Sequence, residues 1–555
     1  MTSGPAAPAP SARRRRAGVA ALLALAAVTT TSCWERAIGT PPGADSINFP
    51  LGLLLDPRPR VDLPEDGQRA RWLFVSNGNS DLSSNAASVI AIDLDGFFAA
   101  WEASPGSAIA RSDMPDVGAE VSDDAPCRRY KSRPQVIECT EEPFVAEDAS
   151  VFMTSFTTVL RADDPNPDDD KIRLLTPVRG DPSVTFMDVS GGLGDGALRI
   201  ECGQGQDPDL NPRRCDDDHR LRFLYNDEEE SRISPEPANM VIDGDLAVLV
   251  HYRSTTVTVF DLVGVDGRPQ AVDAAALLDD FVTGAYGIAV RPCAPGNAAS
   301  LSTTVVDQCL AAPASCVEDV DCGHEAFECR ASACEPRLAY RCVGDLDCGA
   351  DAACVGLPVE CQRPMVYTAG RQSRFVVTFT VDQVEDGGYP QLIANSFFVP
   401  GIFDIGDVVG PVFGEMAFAD QGDTLYIVQS NPGGLVRVDT SLDDNNDPKN
   451  LPAGVLEICD EPNAMILYGD DAGEFVAMTC HRPALVFIVD LVSFQVIANV
   501  LAGTAPHELV HDPARGFLYV ANSLDQTISV IDVARDRPTR FTEVARIGLE
   551  EPYSR

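Results

Sequence analysis

At 555 residues the chain is long enough for several domains or for one large repeat-built body. Apolar residues at 45% supply ample core, while 42 Lys+Arg against 84 Asp+Glu give a formal net charge of −42. Such a field repels phosphate backbones and anionic lipid headgroups, which argues against nucleic acid as a partner.

The first element in chain order is an export signal, residues 1–32. Arg13 to Arg16 form its basic region, and the apolar run from Ala17 to Val28 is too short to span a bilayer. Thr30, Thr31 and Ser32 then lead to Cys33, an approach that resembles the lipobox of bacterial lipoproteins, with Thr30 where that family usually carries Leu. The resemblance implies a mature chain that starts at a lipidated Cys33, residues 33–48 as a linker, and membrane attachment through the lipid alone. Trp34 stands where some envelopes read an Asp as an inner-membrane retention signal, which favours the outer membrane. Setting Cys33 aside from 17 cysteines leaves 16, an even number suited to disulfides in an oxidising compartment.

From residue 49 to 555 one phrase recurs: an apolar strand after Pro or Gly, a turn, a second apolar strand, a polar turn, and a third strand that reaches an Asp. Its copies begin at Pro50, Ser155, Pro237, Ala285, Phe413, Pro462 and Pro506, and their third strands end at Asp93, Asp188, Asp261, Asp382, Asp439, Asp490 and Asp532. The last intervals, 51 residues from Asp439 to Asp490 and 42 from Asp490 to Asp532, are the length of one four-stranded propeller blade. A fourth strand fits after most copies, as in "FQVIANVLAG" from Phe494 and "FTEVARIGLEEP" from Phe541. Val, Ile, Phe and Tyr fill the strands, and Gly, Asp, Asn and Pro the joints. The one helical period beyond the signal is "AVDAAALLDDFV" from Ala271. These features predict an all-β, seven-bladed β-propeller.

The final copy, "FLYVANSLDQTISVIDV", resembles the YVTN repeat of surface-layer-like and lactonase-like propellers. Phe517 to Asn522 match its second strand and turn, and Ile528 to Asp532 its third strand. The resemblance covers most of the mature chain and implies a fold more than an activity. Two readings of function stand beside it. The first is an envelope-bound binding or scaffold module, monomeric, that holds a protein or glycan partner. The alternative is a lactonase-like hydrolase with acid/base residues Glu415, His507 and Glu508 at the mouth of the channel, where Asn239, Tyr286 and Asn463 bind.

"HELVH" from His507 would hold zinc on a helix. Its place in the repeat makes it an inner strand instead, on which His507 and His511 stand about 13 Å apart at ~3.3 Å per residue, too far to share one ion. No metal is expected there. The loops "DDPNPDDD" from Asp163 and "DDNNDPKN" from Asp443 are candidate calcium ligands without the turn Gly or distant Glu of an EF-hand.

Ten cysteines crowd residues 293–361, inside the fourth copy: Cys293, Cys309, Cys316, Cys322, Cys329, Cys334, Cys342, Cys348, Cys354 and Cys361. Their two similar units are too small for a hydrophobic core, so disulfides are expected to hold them. Elsewhere Cys127 is expected to join Cys139, Cys202 to join Cys215, and Cys459 to join Cys480.

Overall fold

The second strands of the repeats are apolar runs, and four of them disappear from solvent altogether. Trp72–Asn77, Ile172–Val178, Leu246–His251 and Phe517–Asn522 are buried at every position, on both faces, as strands must be when sheets stack against each other. The structure, a computed structural model, describes residues 40–549 except 104–125, 165–169, 206–211, 225–230, 278–283, 292–301, 312–326, 337–351, 383–389, 401–411 and gaps of three residues or fewer.

Seven sheets, each an antiparallel series of four principal strands, form a seven-bladed β-propeller. Their inner strands are Pro50–Leu55, Arg161–Asp163, Pro237–Asp243, Ala285–Arg291, Val412–Ala419, Pro462–Asp470 and Pro506–Asp512. All seven repeat aspartates lie in third strands. Their role is visible in the turn that follows: the carboxylates of Asp93, Asp261, Asp439, Asp490 and Asp532 accept hydrogen bonds from backbone N–H groups two or three residues on. This local Asx bonding starts the turn to the fourth strand.

Two expectations are corrected. The stretch from Ala271 is not a helix: Arg268–Ala276 is the outer strand of blade 3, paired with Thr256–Val265. Cross-strand pairing overrides the helix propensity of its alanines. Conversely, Leu94–Ala103 is an α-helix, started by Asp93, with Leu94, Phe97 and Phe98 buried. Apolar residues at 94, 97, 98 and 101 carried that helical period.

Blades 1 and 7 meet without sharing a strand. Blade 1 consists of Pro50–Leu55, Trp72–Asn77, Ala87–Asp93 and Val151–Met153, all from the N-terminal part, and blade 7 has its own four strands from Pro506–Asp512 to Thr542–Ile547. A hairpin from the blade 1 insertion, Cys127–Arg129 with Ile137–Cys139, crosses the seam and lies parallel to Thr542–Ile547. In blade 4 the cysteine-rich insertion enters between Ala285–Arg291 and Met365–Gly370, where Ser302–Ala311 pairs with Ala352–Cys361, and Phe327–Arg330 with Ala333–Pro336.

Candidate functional site: the inner ring

Most inner strands open with a β-bulge. The register shifts between Pro50 and Gly52, Pro237 and Asn239, Ala285 and Gly287, Pro462 and Met465, and Pro506 and Leu509. The residue before each proline has a left-handed backbone: Phe49, Glu236, Glu461 and Ala505 have φ of 51°, 57°, 56° and 57°. This repeated kink re-aims the first side chains of each strand, as bulges beside functional sites do.

Those side chains join neighbouring blades. Arg161 of blade 2 donates through Nε to the Met240 carbonyl of blade 3 at 3.0 Å. Asn239 Nδ2 donates to the Tyr286 carbonyl of blade 4 at 3.2 Å. From blade 5 to blade 6, Glu415 Oε2 accepts from Met465 N at 3.0 Å. Asn463 Nδ2 of blade 6 donates to the His507 carbonyl of blade 7 at 3.4 Å. His507 in turn places Nδ1 3.1 Å from the Leu51 carbonyl of blade 1. A carbonyl only accepts, so Nδ1 carries the hydrogen. Between blades 4 and 5, and between blades 1 and 2, backbone proximity replaces a side chain. A Cβ on Gly287 would lie 2.5 Å from the Gly414 carbonyl oxygen, and one on Gly52 2.6 Å from that of Thr158.

One group crosses the ring. Arg161 Nη2 lies 3.2 Å from both Asn239 Oδ1 and Glu415 Oε1, so a blade 2 guanidinium meets a blade 5 carboxylate. Non-adjacent blades meet this way only near the propeller axis. Glu508 and Tyr286 feel the charges of the same cluster. Burial pushes the Glu415 carboxyl up, opposed by Arg161. Burial and then the Glu415 charge push Glu508 well above the ordinary carboxylate range. Burial, then Tyr252, Glu415 and Glu508, raise the Tyr286 phenol well above its usual value. Glu508 Oε2 and the Tyr286 hydroxyl have no hydrogen-bond partner among the described residues. His507, by contrast, is held neutral: burial lowers it to about 4.

Of the residues singled out in the sequence, Asn239, Tyr286, Glu415 and Glu508 therefore converge, whereas Asn463 and His507 serve the seams between blades 6, 7 and 1. His507 and His511 lie on the strand Pro506–Asp512, and His511 packs against Tyr468. Among the described residues no group of three or more His, Cys, Asp or Glu is placed to hold a metal ion, and the candidate calcium loops fall partly outside those residues. Arg161 was missed because "SFTTVLRAD" is the faintest repeat. The copy begins at Ser155, but with no Pro or Gly to mark where its inner strand begins, nothing in the sequence sets the register that puts Arg161 on the ring.

The pairs Cys127–Cys139, Cys202–Cys215 and Cys459–Cys480 are bonded. Cys329 and Cys334 are disulfide-bonded, and the strand register sets Cys309 opposite Cys354. Cys33, Cys293, Cys316, Cys322, Cys342 and Cys348 lie outside the described residues, as do the side chains of Cys309, Cys354 and Cys361. No helix of the described residues is long and apolar enough to cross a membrane.

No family model matches the chain, and no curated protein does. Among solved structures, hydrazine synthase of Kuenenia stuttgartiensis aligns at 12% identity and TM-score 0.42, over 91% of this chain and 100% of that one. Two proteins described as "putative 6-phosphogluconolactonase" also align. The one from Bacteroides fragilis has 13% identity and TM-score 0.30, over 84% of this chain and 98% of its own. The one from Bacteroides uniformis has 11% identity and TM-score 0.36, over 91% and 96%.

Proposed function

We propose that the chain is a lipid-anchored binding or scaffold propeller of the cell envelope, which presents its blades to a protein or glycan partner. The observation that carries this reading is what the inner ring does with its polar groups. His507 and Asn463 bond the backbone of the next blade, and both Glu415 oxygens are engaged. Groups held in this way have a structural task, and a histidine lowered to about 4 is a poor general base at neutral pH. The address rests on the basic, apolar and small-residue order before Cys33. Mass spectrometry of the mature N-terminus is expected to show an acylated Cys33; an unmodified residue further along would remove the anchor.

A second reading is favoured by one observation. Glu508 and Tyr286 are both 4% exposed, bear polar atoms without a partner among the described residues, and feel the charge of Arg161. A buried acid whose surroundings favour its protonated form, grouped with a phenol and a guanidinium, has the makings of acid/base chemistry on a lactone. Proton release from a panel of sugar-acid lactones decides between the two. The binding module gives no rate above buffer, whereas turnover that disappears in Glu508→Gln would establish the hydrolase.

A further inference from the structure

The outer strands of blades 6 and 7 occupy equivalent places in the fold and have opposite surroundings. In blade 7, Thr542–Ile547 is covered by Ile137–Cys139, and all but its first residue are buried. In blade 6, Gln495–Leu501 pairs on one side with Leu485–Asp490, and among the described residues no strand pairs with its other edge. It bears Val496, Ile497 and Leu501 at 37%, 45% and 54% exposure, and Val492, in the turn that precedes it, is 84% exposed. Gln495–Leu501 contains no charged residue, in a chain of which 23% is charged. Exposed edge strands are usually protected by lysines, prolines or cover. This one has no lysine, no proline and, among the described residues, no covering strand.

We propose that the outer edge of Gln495–Leu501 is a docking surface that takes an apolar strand with basic flanks from a partner protein. The inference rests on the binding-module reading and names its surface. The chain itself shows what such a strand looks like. The segment covering blade 7, "CRRYKSRPQVIEC" from Cys127, has Arg128, Arg129, Lys131 and Arg133 against the single acid Glu138. The segment covering blade 3 is of another kind: Arg220 and Arg222 beside Phe223–Leu224 pair with Asp181 and Asp217, and the acidic runs Asp216 to Asp218 and Asp227 to Glu230 flank them in the sequence. Both covering strands run parallel to the strand they cover. Within a chain of net charge −42, the basic cover of blade 7 is the complementary solution, and the same charge opposes a second copy as occupant. The blade 7 cover also extends to blade 6: Arg133 donates to the Leu501 carbonyl at 2.8 Å and to the Ala502 carbonyl at 3.1 Å. A groove of about 530 Å³ runs beside that contact, between Asn499 to Leu501 and Phe541 to Val544. A partner strand would continue an interface that the fold has already begun, with backbone bonds giving affinity and alternate apolar side chains giving selectivity.

The test uses the mature full-length protein and a labelled, disulfide-closed peptide of sequence CRRYKSRPQVIEC, with a charge-reversed peptide carrying Glu at its four basic positions. The basic peptide is expected to bind, more weakly at high salt, and to lose at least about tenfold in affinity in both Ile497→Lys and Leu501→Ser. Both side chains are exposed, so thermal unfolding of each variant should match the parent. Failure of the basic peptide to bind, or equal binding of the charge-reversed one, overturns the partner chemistry. Binding that both variants leave intact overturns the edge while keeping the binding-module reading. Sedimentation showing self-association that Ile497→Lys abolishes would make a second copy the occupant and overturn the proposal.

Discussion

Two buried carboxyls and one guanidinium set the chemistry of the propeller axis. Arg161 neutralises Glu415 directly, and Glu508 is left to burial and to the Glu415 charge, both of which favour its protonated form. The consequence for stability has a definite sign. A carboxyl raised in the folded state binds more protons there than in the unfolded chain, so its contribution is most favourable below the unfolded value near 4.5. It is lost as pH rises toward the folded value, at up to about 1.4 kcal/mol per pH unit. Glu508→Gln removes that titration. Urea unfolding at a series of pH values above 5 should show the variant gaining on the parent as pH rises. A constant difference between the two would show that Glu508 titrates normally. Much of this cluster was legible beforehand, because the repeat fixes which residues begin an inner strand, and those positions gave Asn239, Tyr286, Glu415 and Glu508. What it did not give was partition: nothing in "PNA" or "PHE" says that Asn463 and His507 bond the next blade's carbonyl, since that depends on the bulge ahead of them.

At the scale of the element, period and punctuation decided most strands. Apolar runs bounded by Pro, Gly and Asp marked second and third strands well, because burial on both faces leaves composition as the only requirement. The outer strands were less regular for a physical reason. Gln391–Phe398, Leu451–Glu457 and Gln495–Leu501 have few buried positions, so little constrains their pattern. The same looseness produced the error at Ala271, where a run of alanines in an outer strand reads as helix until its pairing with Thr256–Val265 is known. The helix Leu94–Ala103 was hidden by its brevity and its aromatics. Only the packing of Phe97 on Phe144, and of Phe98 on Phe517, gives the ten residues a reason to coil. Glycines at Gly52 and Gly287 belong to this scale too: they look like ordinary strand interruptions, yet each permits the backbone of a neighbouring blade to approach where a Cβ would collide.

At the scale of the whole molecule, a ring built of seven radial sheets has one seam that chain connectivity does not close. Here blades 1 and 7 share an apolar layer, in which Leu73, Ile90 and Phe97 pack with Tyr519, Ile528 and Val530, and the hairpin of Cys127 and Cys139 fastens it. That hairpin adds its strand to blade 7, accepts the Gly548 N–H at the Cys139 carbonyl, and sends Arg133 to Glu543 and on to blade 6. Its Tyr130 lies 4.5 Å from the Arg546 guanidinium, a group wholly buried and paired with Glu543. If the hairpin is a clasp, its disulfide should matter more than loop closure alone predicts. Cys127–Cys139 and Cys202–Cys215 span 12 and 13 residues, and all four cysteines are buried, so the chain-entropy term, about 3 kcal/mol, is the same for both. Replacing Cys202 and Cys215 with Ser should cost about that much, because the loop they close meets blade 1 at Phe152 alone among strand pairings and lies away from the seam between blades 1 and 7. Replacing Cys127 and Cys139 should cost more, and should also make amide hydrogens of Thr542–Ile547 and Pro50–Leu55 exchange faster, since opening then begins at the seam. Equal losses in urea unfolding, with unchanged exchange in those two strands, would reduce the hairpin to a stapled loop and leave closure to the apolar layer alone.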